Sequence, residues 1–376
     1  MRDQDSPRRR NFANLGPLEC RGFCYDADMA QRNRKLLVWY RRARRQLPWR
    51  EAPTPYNTWV AELMLQQTQV LTVVPYFERF VARFPDVDAL ADATEEQVLA
   101  LWSGLGYYRR ARALREGARR IVADRGGRFP EDVDGWMALP GIGRYTAGAI
   151  VSIALGKRAP ILDGNVMRVL TRWFAISGDP RRGATNTTLW RLAEEILPSR
   201  SVAEYNQALM ELGALICLPR QPRCSLCPVR SDCIAHERGL VDVLPELSVR
   251  PASVQVAMAA AVVRERGRFL MFQRKREELM KDLWEFPGGE CRAGETPESA
   301  IVREARERYG LGLRRLDAIA TVRHNVMNRR IELHAFAAAR LGSPPFDAPH
   351  RWVRREDLGG IPVSSVVPKI LNAMTR

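Results

Sequence analysis

A tight cluster of cysteines constrains this chain more than any other sequence feature. It has the pattern C-x6-C-x2-C-x5-C and consists of Cys217, Cys224, Cys227 and Cys233. Four thiolates this close in sequence form a tetrathiolate site, and sulfur ligands select zinc or an iron–sulfur cluster. A disulfide framework is the alternative, but this is not a small cysteine-dense domain, no N-terminal signal peptide is visible, and the other three cysteines are scattered. The pattern therefore predicts a metal site, and the spacing alone leaves the metal open.

Composition limits the function classes. At 376 residues with 46% hydrophobic residues, the chain has material for two or three domains with real cores. No apolar run reaches the ~20 residues that span a bilayer, so we expect a cytoplasmic, bacterial, nucleoid-associated protein. The net charge of +16 favours a polyanionic partner such as DNA. Only five of the 59 basic residues are lysine, and this arginine excess could instead reflect genomic base composition.

Four segments follow from the pattern along the chain. Residues 1–28, with Arg8-Arg9-Arg10, predict a mobile basic extension. Residues 29–236 have helical periodicity, interrupted by proline and glycine. Residues 237–252 predict a linker, and residues 253–376 a separate α+β domain. The fold class is therefore multidomain, an all-α part followed by an α+β part.

Individual elements follow from the same periodicity. The predicted helices are Trp59–Val74, Glu78–Phe84, Glu95–Trp102, Arg110–Ala123, two within Leu189–Leu218, and Thr296–Tyr309. The predicted strands are Gln255–Val263, Phe269–Gln273, Ile319–Arg323 and Ile331–Ala337.

A glycine-containing turn in Leu139–Ile150 is the first site candidate. Gly141 and Gly143 lie in an L-P-G-x-G turn between two helical stretches. Such a turn exposes backbone N–H groups at a helix N-terminus, which suits a DNA phosphate. An ordinary helix–helix turn is the alternative, and the basic chain favours a helix-hairpin-helix phosphate clamp. About twenty residues later, Asp163 precedes the next predicted helix, where by itself an aspartate is usually an N-cap.

The ordered combination of hairpin, aspartate and cysteine pattern resembles the endonuclease III and MutY superfamily of DNA glycosylases. The resemblance covers residues 29–236. It implies two helical subdomains with the active site between them, a [4Fe–4S] cluster on the four cysteines, and base flipping of double-stranded DNA before N-glycosidic bond hydrolysis.

The branch of the superfamily depends on particular positions. Tyr145 stands where members with lyase activity carry a lysine, and a tyrosine cannot form an imine, so the resemblance implies a monofunctional enzyme. The stretch Trp59–Val70 resembles the signature helix of MutY-type adenine glycosylases. Helical spacing would place Glu62, Gln66 and Gln69 on one stripe, and an ordinary polar surface residue is the alternative for Glu62.

The resemblance implies a mechanism with two carboxylates. Glu62 donates a proton toward adenine N7, and ionised Asp163 stabilises the oxocarbenium-like sugar. Glu62 needs a raised pKa for this role, which desolvation by the flipped base can supply. Asn165 matches a residue that supports Asp163. Further matches to the adenine pocket and to the loops that wedge into the base stack are Trp49, Arg50, Gln67, Thr68, Leu105, Tyr107 and Gln207. A core role is the alternative for Leu105 and Tyr107, although a G-x-G setting favours an exposed turn.

The second domain resembles the Nudix-like domain that such proteins use to recognise 8-oxoguanine. The Nudix-box positions that match are Gly289, Glu295, Arg303, Glu304, Glu307 and Gly310. Arg308 replaces a glutamate that binds magnesium in Nudix hydrolases, and a guanidinium there would repel the metal. A residual hydrolase is the alternative, because the other positions of the box are kept. By position, Val326, Met327 and Asn328 replace the Phe-Ser-His loop that contacts 8-oxoguanine.

We therefore expect a monomeric adenine glycosylase that acts on A:8-oxoG or A:G mispairs. Three other functions compete. A thymine-mismatch glycosylase also carries tyrosine in the hairpin, but the Gln66–Gln69 run and the Nudix-like domain oppose it. A DNA-binding protein without catalysis is opposed by Glu62 and Asp163, and a nucleotide pyrophosphatase by Arg308.

Overall fold

The computed structural model describes residues 27–248, 252–274, 283–326, 328–342 and 346–374. The predicted basic extension therefore lies almost wholly outside the described residues, as does Met327. Among the described helices none is long and apolar enough to cross a membrane.

Helices build the first part of the chain. They are α1 (Ala27–Ala43), α2 (Pro48–Glu51), α3 (Pro55–Leu65), α4 (Val70–Arg83), α5 (Val87–Asp92), α6 (Glu95–Trp102), α7 (Arg109–Arg125), α8 (Val133–Met137), α9 (Arg144–Ile153), α10 (Gly164–Trp173), α11 (Gly183–Glu195), α12 (Val202–Leu215) and α13 (Ile234–Glu237). Two single 3-10 turns, Cys224–Leu226 and Arg230–Asp232, lie between α12 and α13.

These helices enclose two hydrophobic cores. One is built from α2–α9 around fully buried side chains such as Trp59, Trp102 and Trp136. The other brings α1 back against α10–α12, around Tyr40, Trp173 and Tyr205. Helix α9 contributes to both cores, since Ile150 packs in the first and Ala149 in the second. The groove between the cores is therefore bounded by α3 on one side and by the start of α10 on the other.

The predicted helix Trp59–Val74 is wrong in one respect, because it is broken in the middle. Helix α3 ends at Leu65, and α4 begins at Val70 and continues through Pro75 to Arg83. Gln67 between them has a left-handed backbone with φ 59°. Gln66 and Gln69 are caps of the two helices, so they do not form a single helical stripe with Glu62.

A mixed sheet forms the second part. Its strands are β1 (Val254–Glu265), β2 (Arg268–Gln273), β3 (Trp284–Glu285), β4 (Gly288–Glu290), β5 (Gly312–Val326), β6 (Arg329–Leu341) and β7 (His350–Arg354), with helices α14 (Pro297–Tyr309) and α15 (Val366–Ala373). The order is β3-β2-β1-β6-β5, with β4 paired to β1 and β7 to β2. β1 and β6 run parallel and the other named pairs are antiparallel. Helix α14 packs on one face and α15 on the other.

The sheet domain rests on the first helical core. Leu283 is fully buried in that core. The Val363 carbonyl accepts hydrogen bonds from Ser103 Oγ at 3.0 Å and from the Tyr108 hydroxyl at 3.1 Å. Arg351 also pairs with Glu96 across the boundary at 2.7 Å. These contacts place one edge of the second domain beside the groove between the helical cores.

Candidate active site between the two helical cores

Glu62 is a buried carboxyl group in the groove, and its pKa is strongly raised. It sits on α3 among Val60, Leu63 and Met64, which face the core as predicted, and the whole residue is only 6% exposed. Burial raises the pKa of Glu62 to about 7, because the ionised form loses its hydration. The same value includes a lowering by the hydrogen bond from Tyr145, a rise from the nearby Asp163 carboxylate and a lowering by Arg50. Glu62 can therefore hold a proton near neutral pH.

Tyr145 orients that carboxyl group. Its hydroxyl donates to Glu62 Oε2 at 2.8 Å and also contacts the Met210 sulfur at 3.3 Å. A phenol has one proton, and the carboxylate is the far stronger acceptor. Burial and the two acids raise the pKa of Tyr145 well above its usual value, so the phenol remains a hydrogen-bond donor.

Asp163 begins α10 as its N-cap, as its sequence position suggests. Oδ1 accepts from the Val166 N–H at 2.7 Å, and Oδ2 accepts from Asn165 Nδ2 at 2.9 Å. Burial raises the pKa of Asp163, and these donors oppose the rise. The N-terminal end of the helix dipole also favours the anion. An N-cap role and a chemical role are thus compatible at this residue.

The two carboxyl groups have different environments. Glu62 has one donor and deep burial, whereas Asp163 has two donors and a helix N-terminus. When two interacting acids share a site, the better-solvated one ionises first and raises the pKa of the other. The donors around Asp163 therefore favour the anion there and leave the proton to Glu62, and such a division would suit acid-assisted bond cleavage.

Helix α12 and Arg168 hold Asp163 and Asn165 in place. A Cβ added at Gly213 would lie 2.6 Å from Asn165 Cβ and 3.1 Å from its backbone, so α12 approaches this turn as closely as a glycine allows. Arg168 donates to Asn165 Oδ1 at 2.9 Å, to the Gly213 carbonyl at 2.8 Å and to the Cys217 carbonyl at 2.7 Å. The cysteine segment and the Asp163 turn are thus directly connected.

A buried ion cluster forms the floor of the groove. Glu211 on α12 has a side chain that is 0% exposed and pairs with Arg45 at 2.8 Å and Arg50 at 3.0 Å. These two arginines hold the pKa of Glu211 at about 2 despite its burial. Gln207, one turn earlier, accepts from the Tyr40 hydroxyl at 3.1 Å. Arg50 and Gln207 therefore line the groove with fixed orientations.

An aromatic wall completes the predicted base pocket. Trp49 is 8% exposed and packs edge-on against Phe77, with ring centroids 5.3 Å apart. It lines the same cavity as Glu62 and Asp163. An apolar plane beside fixed polar groups is suited to a heterocyclic base.

Two turns at the mouth of the groove hold the predicted wedge residues. Gln67 and Tyr107 are exposed, and the Tyr107 hydroxyl donates to Gln67 Oε1 at 2.8 Å. Thr68 lies beside Gln67, and its hydroxyl donates to the Gln66 carbonyl at 3.4 Å. The expectation of an exposed turn is correct for Tyr107, but the Leu105 side chain is buried at 6% exposure because it packs into the first core.

The hairpin turn faces solvent at the start of α9. Gly141 has φ 73°, and an added Cβ there would lie 2.7 Å from Ala113 Cβ, so the turn needs glycine on both counts. Gly143 is the N-cap of α9 and is exposed. No side chain caps the start of α9, so its first N–H groups could face an anion there.

One cavity of about 1820 Å³ joins these features. Its walls include Glu62, Asp163 and Tyr145 from the helical part. The second domain contributes His324, Asn325, Ser365, Pro368 and Lys369 to the lining. The cavity is large enough for a nucleotide together with its neighbours and is bounded by both domains.

The predicted 8-oxoguanine loop lies at the β5–β6 turn. Asn328 is exposed there, and its carbonyl accepts from the Val254 N–H at 2.8 Å. Val326 ends β5, and Met327 lies outside the described residues. His324 and Asn325, directly before Val326, line the cavity, whereas Asn328 does not. His324 Nε2 lies 3.3 Å from Ser365 Oγ, and its Nδ1 lies 3.3 Å from Lys369 Nζ.

The four cysteines line one small, apolar cavity beside Arg172. Burial raises the pKa of Cys227 to about 12, and the neighbouring cysteine sulfurs raise it as well. Four thiolates in this position therefore require a cationic partner, and the soft donor set fits a metal. Within the described ranges, however, no group of histidine, cysteine or acidic side chains stands already assembled as a metal site.

Arginines neutralise the acidic residues of the Nudix-like box. Arg303 pairs with Glu295 at 2.7 Å and with Glu304 at 2.5 Å. Arg308 donates to the Gly288 carbonyl at 2.7 Å and lies 3.8 Å from Glu304. Because Glu304 has a guanidinium on either side, it is poorly placed to bind a divalent cation.

Sequence reasoning missed several residues of the groove. They are Arg45, Arg110, Arg168, Met210, Glu211 and Gly213. Each acts through a neighbour that is distant in sequence, as in the pairing of Glu211 with Arg45. No local signal in the sequence marks such contacts, although the helical prediction for Leu189–Leu218 contains three of them.

Two family models match the chain. Residues 60–195 match the HhH-GPD superfamily base excision DNA repair protein family, and residues 258–373 match the NUDIX domain. The multidomain fold class and the resemblance to a helix-hairpin-helix glycosylase with a Nudix-like domain are therefore confirmed.

Similar proteins cover both domains. An adenine DNA glycosylase of Mus musculus is 35% identical over 400 residues, which cover 92% of this chain and 78% of the relative. One from Buchnera aphidicola is 38% identical over 253 residues, which cover 67% of this chain and 72% of the relative. Among solved structures, a thermostable thymine-DNA glycosylase matches with a TM-score of 0.52 and 30% identity, covering 57% of this chain and all of that one.

Proposed function

This chain belongs to the family of MutY-type adenine DNA glycosylases, and on that premise we propose that it removes adenine mispaired with 8-oxoguanine or guanine. It is a DNA-binding base excision repair enzyme that acts on adenine. The observation that carries the finer proposal is the pair of unlike carboxyl groups, Glu62 and Asp163, in a groove that both domains border.

The proposed reaction begins when adenine leaves the base stack and enters the groove. Protonated Glu62 donates to adenine N7, so that the C1′–N9 bond breaks with its electron pair on a neutral leaving base. The Asp163 carboxylate stabilises the positive charge that develops on the sugar. Glu62, now ionised, accepts a proton from the water that adds to C1′.

Tyr145 supports a monofunctional reaction. It occupies the hairpin position from which a lysine would form a Schiff base, and its hydroxyl is engaged with Glu62. A phenol held as a hydrogen-bond donor can orient the acid but cannot form an imine. The expected product is therefore free adenine and an intact strand with an abasic site.

The four cysteines would hold a [4Fe–4S] cluster. The half-buried soft donor set fits such a group, and the direct bond from Arg168 to the Cys217 carbonyl connects its loop to the Asp163 turn. When bound, the cluster would supply structural stability and help position the DNA. No proton or bond in the proposed reaction passes through it.

The base opposite adenine would be read by the second domain. His324, Asn325, Ser365 and Lys369 of the second domain line the same cavity as Glu62 and Asp163. They offer hydrogen-bond donors and acceptors, and Lys369 offers a positive charge. We assign the mispair preference to this surface, with the β5–β6 turn around Asn328 beside it.

With a DNA substrate, the enzyme would act as a monomer at the bacterial nucleoid in the cytoplasm.

One assay on matched duplexes tests the proposal. Purified full-length protein is incubated with A:8-oxoG, A:G, T:G and A:T duplexes, and base release is followed after alkaline strand cleavage. We expect fast release from A:8-oxoG and A:G and none from A:T. Release of thymine from T:G without adenine release would instead favour a thymine-mismatch enzyme and would refute the proposal.

A further inference from the structure

Arg110 is a buried charge that the proposed reaction does not use. It lies in the first turn of α7 and is 8% exposed. Desolvation lowers its pKa to about 10. Its guanidinium lies over the rings of Trp102 and Tyr107, at 5.5 and 5.2 Å from their centroids. Burying a cation costs free energy unless hydrogen bonds compensate for the lost hydration. The groups that Arg110 contacts therefore indicate what this side chain holds in place.

Those partners are backbone carbonyls at the end of the catalytic helix. Arg110 Nη1 donates to the carbonyls of Leu63 at 2.8 Å and Met64 at 3.0 Å, and to that of Gln66. These groups form the C-terminal end of α3, the helix that carries Glu62. The last carbonyls of a helix lack internal partners and bear partial negative charge, so a guanidinium caps them well.

The other edge of the same guanidinium holds the second turn. Nη2 donates to the Gly106 carbonyl at 3.1 Å, and Nε donates to the Tyr107 carbonyl at 3.4 Å. One planar side chain therefore joins the turn after α3 to the turn before α7. A fixed fork of five N–H donors makes such a connection possible.

Both turns are strained at their exposed residues. Gln67 has φ 59° and Tyr107 has φ 49°, a left-handed conformation that costs a residue with a Cβ. Their side chains meet in the 2.8 Å hydrogen bond from the Tyr107 hydroxyl to Gln67. Such conformations persist only where the surrounding structure imposes them. Arg110 constrains both turns, because it donates to the Gln66 carbonyl next to Gln67 and to the carbonyl of Tyr107 itself.

We propose that Arg110 is a positioning residue that locks the Gln67 and Tyr107 turns to the helix of Glu62, so that base extrusion and bond cleavage share one rigid frame. This inference rests on the proposed function and on the expectation from the family resemblance that Gln67 and Tyr107 wedge into the base stack. Wedge side chains that are already ordered lose less conformational entropy when they unstack a base, so unstacking costs less free energy. Loss of Arg110 should therefore slow extrusion more than the chemical step.

Two substrates separate extrusion from chemistry. One duplex carries adenine opposite 8-oxoguanine, and the other carries adenine opposite a tetrahydrofuran abasic site, where no pair has to be broken. Single-turnover excision is measured for wild type, Arg110→Met and Arg110→Lys. The lysine variant keeps the charge but cannot bridge both turns. A 2-aminopurine next to the adenine reports unstacking by its fluorescence.

Arg120→Met is the matched control. Arg120 lies on the same helix, is half exposed and pairs with Glu116 at 3.1 Å. Its loss should change excision by no more than about twofold, as for surface substitutions in general. Arg110→Met should lose at least about tenfold on the paired substrate, since unstacking costs a few kcal/mol per step. The excision rate of Arg110→Met should fall clearly less on the unpaired substrate. The 2-aminopurine fluorescence should rise more slowly with this variant than with wild type.

The outcomes are distinct. Equal losses on both substrates, or wild-type rates for both Arg110 variants, would overturn the proposal. If Arg110→Met does not fold, the same comparison of the two substrates is made with Arg110→Lys. If neither variant folds, Arg110 acts in stability alone and the proposal is overturned. Wild-type protein that releases no adenine from either duplex would instead refute the proposed function.

Discussion

The Tyr145 hydroxyl donates a 2.8 Å hydrogen bond to the carboxyl group of Glu62. The bond joins the hairpin helix α9 to the catalytic helix α3, and it stabilises the ionised form of the acid. Burial acts in the opposite direction and is the larger effect, so the pKa of Glu62 reaches about 7. Tyr145 thus limits how far the proton affinity of Glu62 rises.

Tyr145→Phe should shift the pH dependence of excision to higher pH. The change removes a donor that favours the Glu62 anion, so the pKa of Glu62 rises further and its proton is retained longer as pH increases. A typical hydrogen bond of about 1 kcal/mol corresponds to a shift of roughly one pH unit or less. Single-turnover rates between pH 6 and 9 measure the shift, and a move to lower pH would contradict the assigned role.

Gly213→Ala should impair excision by displacing the Asp163 turn. An added Cβ would lie 2.6 Å from Asn165 Cβ, so α10 or α12 must move. Because misplacement of a catalytic group by about 1 Å can cost roughly a hundredfold, a large loss of rate with little loss of DNA affinity is expected. Gly359→Ala is the control, since nothing lies within 4 Å of its added Cβ. Full activity of Gly213→Ala would show that this contact does not position the Asp163 carboxylate.

Glu211→Gln should destabilise the protein and disorder the floor of the groove. The carboxylate neutralises Arg45 and Arg50 in a buried site, and breaking such a pair typically costs about 3–5 kcal/mol. The free energy of unfolding from urea titration measures that cost. Glu116→Gln, a surface pair, should change it by less than about 1 kcal/mol. Equal stability of the two variants would contradict the importance assigned to the cluster.

The Nudix-like domain should show no nucleotide pyrophosphatase activity. Arg303 and Arg308 both lie close to Glu304, which leaves little negative charge for magnesium. Incubation of the protein with 8-oxo-dGTP and Mg²⁺ should release no pyrophosphate. Arg308→Glu should increase Mg²⁺ affinity, as calorimetry can show. Hydrolysis by the unchanged protein would contradict this interpretation.

Much of the fold was predictable because its periodicity is local. The helices Glu95–Trp102 and Thr296–Tyr309 and the strand Phe269–Gln273 appear within a residue or so of their predicted ends. The break of the helix at Gln67 was not predictable from local periodicity. It depends on a tertiary contact, in which the Arg110 guanidinium satisfies the carbonyls at the end of α3. Short strands such as β3 were also missed, since two residues carry no periodic signal.

The residues that line the groove were more predictable than its scaffold. Motifs predicted Glu62, Tyr145, Asp163 and Asn165 as site residues, and the structure brings them together around one cavity. Their supporting partners depend on pairs of residues far apart in sequence, such as Gly213 against Asn165. Such pairs become visible only in the folded chain.

The pH dependence of single-turnover adenine release from an A:8-oxoG duplex tests the central claim most directly. If Glu62 is the proton donor, the rate should fall about tenfold per pH unit above a midpoint near its pKa of about 7. Glu62→Gln should abolish release while DNA binding is retained. A rate that stays constant or rises from pH 7 to 9, or near-normal turnover by Glu62→Gln, would contradict the account.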